Sequence, residues 1–222
     1  VFSGENTIGS TNESLTVEIQ RTDVAGTDHR FVYQGMSISE FELSAAVGEL
    51  AMAKFTMIGE DMSVTAASAQ SASYASSTPL VFTGATVTVG GSTRSVKEMS
   101  FKTNQGLADD RYFLGTDKRT TPVEAKTREA EGTLKIECNG LTDWNRYIGS
   151  SSVAIVATFE TQAALVGSTK GKVEVNIPYA RIDGEQPVTG DGIIETECSF
   201  KVLDEGASDP FKITLVDTTS SY

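Results

Sequence analysis

A strand–turn–strand pattern that recurs along the chain constrains its fold more than any other feature. Ser37-Ile38-Ser39-Glu40-Phe41-Glu42-Leu43 is echoed by Ser95-Val96-Lys97-Glu98-Met99-Ser100-Phe101, and a glycine follows the leading serine at the same distance in both copies, Gly48 and Gly106. A looser third copy comes later: Ile38, Gly48, Leu50 and Ile58 shift by one constant offset onto Ile182, Gly192, Ile194 and Val202. Alternation puts the apolar residues of each unit on one strand face, and glycine supplies turn backbone. A repeated hairpin unit without a reactive centre points to a building block rather than an enzyme.

The chain has 222 residues, enough for one good core or two small ones. Hydrophobic residues make up 39% and charged residues 22%, an ordinary soluble globular mixture rather than a disordered one. Val, Ile, Thr and Phe abound, and no long stretch sustains helical periodicity. No apolar run approaches the about 18 residues needed to span a bilayer. Val1-Phe2-Ser3-Gly4-Glu5 lacks the basic flank and apolar stretch of a signal peptide, and the missing initiator Met suggests a start inside a longer product. A net charge of −12 argues against holding a phosphate backbone by Coulomb attraction. It suits a surface that must not stick to nucleic acid, and solubility alone accounts for it equally well. Cys138 and Cys198 form no CxxC and sit in strand-like alternation, as buried thiols or as a bridge between neighbouring strands.

Along the chain, the first dozen polar residues read as a loop or arm. Leu15–Ile19 alternates as a strand, Thr22–Asp28 turns, Arg30–Gln34 returns, and Met36–Ser44 and Leu50–Ile58 form a hairpin across Ala46–Glu49. Residues 62–79 are a Ser/Ala-rich linker. Leu80–Phe82 and Thr86–Val89 are strands, and Gly90-Gly91 offers the positive φ of a tight turn back into Arg94–Thr103. A long polar loop, 104–130, leads to strand Gly132–Asn139 and to a short helix at 141–149, with Leu141, Trp144 and Ile148 on one side and Gly149 to end it. Strands at Val153–Glu160, Lys172–Pro178, Gly192–Leu203 and Phe211–Val216 complete a mainly β, antiparallel sandwich or barrel with one flanking helix.

Nothing in this order supplies a catalytic constellation. His29 has no second histidine or cysteine partner for zinc, and the turns at Asp183–Glu185 and Thr189–Gly192 lack calcium-loop spacing. Glu195 and Glu197, two apart on a strand, read as a solvated face rather than an acid–base pair. There is no nucleophile elbow, phosphate loop or dinucleotide fingerprint, so no enzyme, metal or cofactor is expected. The long loop is different, because cations gather there in an acidic chain. Asp109, Asp110, Arg111, Lys118, Arg119, Lys126 and Arg128 are the candidates for contact between subunits, and exposed strand edges with such arms assemble into rings and stacks. A β-rich adhesin or carbohydrate-binding module is the alternative, but Tyr33, Tyr74, Tyr112, Tyr147, Tyr179 and Tyr222 are scattered rather than aligned for sugar stacking.

Several segments together resemble the major tail tube protein of long-tailed, non-contractile bacteriophages. They are Ser14–Ile19, Phe31–Ile38, Phe41–Leu43 through Phe55–Gly59, Gly84–Gly91 with Val96–Phe101, and Glu131–Ile136 with the helix that follows. The likeness spans roughly Ser14 to Val216 and rests on hydrophobic pattern and glycine placement. It implies a sandwich or barrel subunit with a flanking helix and long loops, assembled with itself in rings of three or six. The rings stack into a hollow conduit for DNA in the virion tail, next to other tail proteins, with no membrane and no specific DNA binding. It further implies a duplicated architecture: residues 1–61 as the remainder of a first tube-type domain and 80–217 as a second, which favours rings of three. Glu40, Glu42, Glu49, Glu195 and Glu197 are then the candidates to line an acidic lumen.

Overall fold

Pairs such as Val87 and Val89, Met99 and Phe101, Leu134 and Ile136, or Val175 and Ile177 put two apolar side chains on one side of an extended chain. Each of these pairs is buried. The computed structural model describes residues 2–6, 14–65, 78–137, 142–184, 195–206 and 209–217. Within them run β1 (Phe2–Asn6), β2 (Leu15–Thr22), β3 (Asp28–Ala46), β4 (Met52–Ile58), β5 (Asp61–Thr65), β6 (Ala85–Val89), β7 (Ser92–Arg94), β8 (Val96–Asn104) and β9 (Glu129–Glu137). Helix α1 (Thr142–Gly149) precedes β10 (Ser152–Val166), β11 (Thr169–Gly184), β12 (Glu195–Val202) and β13 (Lys212–Asp217).

The strand pairs are antiparallel and form one sheet in the order β2-β3-β8-β9-β12-β11-β10-β6-β7. β4 and β5 line the other edge of β3, and β13, carrying β1, joins β11. Seven of these strands, from β3 round to β6, turn apolar residues into one cluster that holds Leu43, Phe101, Leu134, Cys198, Phe200, Ile182, Val175, Ile155, Phe159 and Val87. The sheet therefore curls about this core, and it does not close into a barrel. Its ends approach across a cavity lined by Ala45, Val96 and Met99 on one side and Val87, Thr93 and Phe159 on the other. β7 pairs with β6 alone among the described strands, and β8, which follows it after Ser95, is already flanked by β3 and β9.

The echoed hairpins lie side by side, because β4-β3, β8-β9 and β12-β11 are consecutive in the sheet. Gly48, at φ +88°, makes the first turn, and the Glu49 amide donates to the Ala46 carbonyl at 3.1 Å. Gly106 instead opens the long loop, where the amides of Ala125 and Lys126 donate back to its carbonyl. The turn of the third copy lies outside the described residues.

One cross-strand row fixes the packing. Leu43, Phe101, Gly132, Phe200 and Ile182 stand directly opposite one another on β3, β8, β9, β12 and β11. Phe101 and Phe200 are almost fully buried, and a Cβ on Gly132 would come within 2.4 Å of the Phe200 ring and 2.2 Å of the Ser100 carbonyl. Glycine on β9 makes room here for the large rings of the two strands that flank it, β8 and β12. On β11, a register shift around Pro178 resets the alternation, so that Val175 and Ile177 before it and Ala180 and Ile182 after it all face the core.

Several local expectations change. Phe2–Asn6 is a strand on β13, not a loop, because backbone pairing at a sheet edge needs no apolar alternation. The segments Arg30–Gln34 and Met36–Ser44 are one 19-residue strand, since Gly35 at φ +62° absorbs the irregularity without breaking it. Residues 61–65, whose last four the sequence assigns to the linker, form β5 on β3, while 66–77 lie outside the described residues. Leu80–Phe82 is not a strand: Val81 makes an isolated bridge to Leu50, and Phe82–Gly84 coils into a 3-10 turn. Helix α1 runs through Gly149 and is followed by a left-handed residue at Ser150, φ +50°. Leu141, Cys138 and the side chain of Trp144 lie outside the described part.

Gly132→Ala is expected to destabilise the chain by about 1–3 kcal/mol, the usual cost of forcing a methyl into a filled core. Denaturant unfolding checks this, with Gly149→Ala, an exposed position outside the left-handed region whose Cβ would meet only Ser151 Oγ at 3.4 Å, as a surface comparison.

Candidate functional site

The face opposite the core is built by the same alternation. Beside the row of Leu43, Phe101, Gly132 and Phe200, the next residue of each strand points the other way, and all of these residues are charged. Lys54, Glu42, Lys102, Glu131, Lys201 and Arg181 face one another in register across β4, β3, β8, β9, β12 and β11. A second row runs Glu98, Lys135, Glu197, and a third brings Glu137 opposite Glu195. Glu40 stands opposite Asn104, whose amide donates to it at 3.1 Å, and Lys102 reaches the same carboxylate at 3.3 Å.

Four of the five carboxylates singled out from sequence, Glu40, Glu42, Glu195 and Glu197, thus share one face of one sheet. Glu49 does not: it is exposed on the β3–β4 turn, and its carbonyl accepts the Phe82 amide. The face is also richer than those four. Glu98, Glu131 and Glu137 join it, and lysines stand between the acids. The repeat already held Glu98 at the place of Glu40, whereas the lysines carry no sequence signal of their own. A register shift between Val96 and Glu98 leaves Lys97 as an extra residue, and its ammonium bonds Glu195. Lys135 spans Glu98 at 3.2 Å and Glu195 at 3.9 Å. The Lys97 hydrogen bond, then the nearby Lys97 and Lys135 charges, hold the Glu195 carboxyl below its ordinary value, and Lys97 is raised in turn. Two glutamates facing each other would repel, and these lysines offset that.

The long loop, 105–128, is folded against its own chain. Lys118 pairs with Asp61 at 2.5 Å, and the Arg119 amide donates to the Glu60 carbonyl at 3.3 Å, which fastens the loop to the start of β5. Arg111 donates to the Thr121 carbonyl at 2.5 Å and lies 5.9 Å from the Phe113 ring. Arg119 lies 5.3 Å from the Tyr112 ring, and Arg128 pairs with Glu124. Asp109 and Asp110 are exposed, as is Lys126. The cations expected to reach another subunit are thus largely engaged within the loop or with β5. What the loop presents outward is Tyr112-Phe113-Leu114, with Leu114 fully exposed. Sequence reasoning missed this apolar tip, although three large apolar residues in a row inside a polar segment could have marked it.

Among the described residues, no group of three or more His, Cys, Asp or Glu is placed to hold a metal, and no helix is long and apolar enough to cross a membrane. His29 lies at the β2–β3 turn, where its Nε2 meets Asp23 at 2.9 Å. Asp23 also accepts the amides of Ala25 and Thr27, an Asx-type closure of the turn.

The loop tether is pH-sensitive in a defined direction. Lys118 holds Asp61 below its ordinary 3.8, so the tether's contribution is complete above that value and is lost as pH falls through the lowered one. Lys118 is raised above 10.5, so the opposite loss comes as pH rises through the raised value. Hydrogen-exchange protection factors in 105–128 are expected to drop in Asp61→Asn at neutral pH, and in the unaltered chain as pH falls through the lowered Asp61 value, while the β8–β9 ladder stays protected.

A family model described as phage tail tube protein matches residues 2–202, and no curated protein sequence matches the chain. That span takes in β1 to β12, with the charged sheet face and the fastened loop. A mainly β, antiparallel fold of this kind is consistent with a β-rich tail-tube protein. With most of its length matched, this chain belongs to the phage tail tube protein family, whose members are structural subunits of the phage tail that assemble with themselves and with other tail proteins.

Proposed function

We propose that the chain closes into rings with sister copies, that the rings stack into a hollow tube, and that the charged face of β4-β3-β8-β9-β12 lines its lumen. The carrying observation is that this face is continuous over five strands and more acidic than basic, with its central lysines shared between glutamates. Lys135 lies between Glu98, Glu195 and Glu197, and Lys102 between Glu40, Glu42 and Glu131. Few cations are left to grip a phosphate. A glutamate about 8 Å from a phosphate in water repels it by about 0.5 kcal/mol before screening. DNA carries one charge per about 1.7 Å, so many small repulsions add, and the genome slides rather than binds.

Glu49, on the exposed β3–β4 turn, belongs at the rim of this lumen rather than on its wall. β4 pairs with β3 alone among the described strands, so its outer edge can add a strand from the neighbouring copy. The loop carrying Asp109, Asp110, Arg111, Lys118, Arg119, Lys126 and Arg128 makes the contacts between subunits. In our reading its cations brace the loop so that its tip stands out. Three copies per ring, each supplying two related β segments (1–61 and 80–217), is the stoichiometry the repeat favours, against six.

Negative-stain images of the concentrated protein are expected to show rings or tubes, and their symmetry counts the copies. Monodisperse monomers under all conditions would overturn the proposal. Deleting Lys118–Thr121 is expected to leave a folded, soluble chain that does not polymerise. Charge reversal at Glu42, Glu131 and Glu197 to lysine is expected to leave tubes intact and to slow DNA release from particles at low salt, with recovery as salt screens the phosphates. An unchanged release rate at low salt would remove this face from the lumen.

A further inference from the structure

β2, β3 and β5 form a three-stranded extension beyond the core, and its two faces differ. Register places Ile19 and Val64 on either side of Phe31, and Val17 and Met62 on either side of Tyr33. The opposite face carries Glu18 and Arg30, ion-paired at 2.7 Å. Ile19, Leu15, Met62 and Val64 on the apolar face are 39% to 51% exposed, and no residue of that face belongs to the core cluster. A sheet with one apolar side needs cover on it, and a patch of this kind on a soluble chain marks an interaction surface.

We propose that this face is covered by the Tyr112-Phe113-Leu114 tip of the 105–128 loop from a second copy of the chain. This rests on the tube reading above. In a polar stack a surface must meet a different surface of its neighbour, because two identical faces packed together close into a dimer and stop. The tip is an apolar knob, with Leu114 fully exposed and Phe113 at 57%. It is already ordered: the Thr120 amide donates to the Arg111 carbonyl at 3.0 Å, and two arginines lie over its aromatic rings. Little ordering entropy is left to lose on docking. Its own chain cannot supply the contact, since the loop is fastened at Glu60 and Asp61 and Leu114 still points into solvent. Charge favours the same choice. The loop carries five basic residues against four acidic ones in a chain at −12, so it meets a sister copy without the repulsion the rest of the surface would bring.

The test joins assembly with cross-linking. Leu114→Asp and Val64→Asp lie at exposed positions and are expected to keep their β-sheet circular dichroism. Each should raise the concentration at which tubes form by about tenfold or more, the loss expected when a buried aliphatic contact becomes a charge. Leu114→Cys with Val64→Cys, oxidised after assembly, is expected to give a ladder of covalent oligomers that neither single variant nor the unaltered chain gives. Tubes that form normally from both aspartate variants, with no ladder from the double cysteine variant, overturn this docking and leave the tube reading standing. Failure of the unaltered chain to form tubes under the same conditions overturns the tube reading and this inference with it.

Discussion

Gly132 lies between Phe101 and Phe200 with no side chain of its own, and the register from β4 to β11 is consistent only with that arrangement. Side chains alternate along a strand with a period of two. A slip by one residue on β9 would therefore drive Glu131 or Thr133 between the rings and turn Leu134 to solvent. An unpaired carboxylate buried against two phenyl rings is far costlier than a lost surface ion pair. The aromatic row therefore holds the register, and the charged rows on the other face follow from it. The ion pairs of that face are solvent-exposed and weak one by one, so they decorate the sheet rather than hold it together.

This division of labour suits a tail tube subunit. The core side supplies stability, and the exposed side is free to be chosen for its field. Alternating Lys54, Glu42, Lys102, Glu131 and Lys201 satisfies neighbouring charges across strands while the acids still predominate on the face. Among the described strands β4 pairs only with β3 and β7 only with β6, so the sheet has not saturated its own pairing. The 105–128 loop replaces the tight turn of the first hairpin repeat with a braced excursion, in which the arginines hold the aromatic tip rather than reaching outward.

Much of the fold was legible because its signals are local. Alternation in Leu134-Lys135-Ile136 or Val173-Glu174-Val175 is visible without any partner, and Gly90-Gly91 at φ +61° and +76° turns the chain where a hairpin needs it. The misses are equally physical. Phe2–Asn6 pairs at an edge through backbone groups that any residue can offer, so no periodicity marks it. Leu80-Val81-Phe82 has strand propensity, yet its backbone bonds go to Glu49 and Ala51 across a turn, which leaves it no ladder to join. Glu40, Glu42, Glu195 and Glu197 could be assigned to polar strand faces, but nothing local says that two strands far apart in sequence contribute to one surface.

The amino-acid sequence by itself determined which side chains share a face of each strand, because a period of two needs only the strand's own residues. It also set the hairpin units, through glycine turns and repeated patterns. Only the tertiary structure decided that β3, β8, β9 and β12 lie side by side, which lysines stand between which glutamates, and that the cations of the loop turn inward. Those outcomes depend on pairing between distant segments, chosen by how Phe101, Gly132 and Phe200 fill one volume, and packing of that kind leaves no periodic trace along the chain.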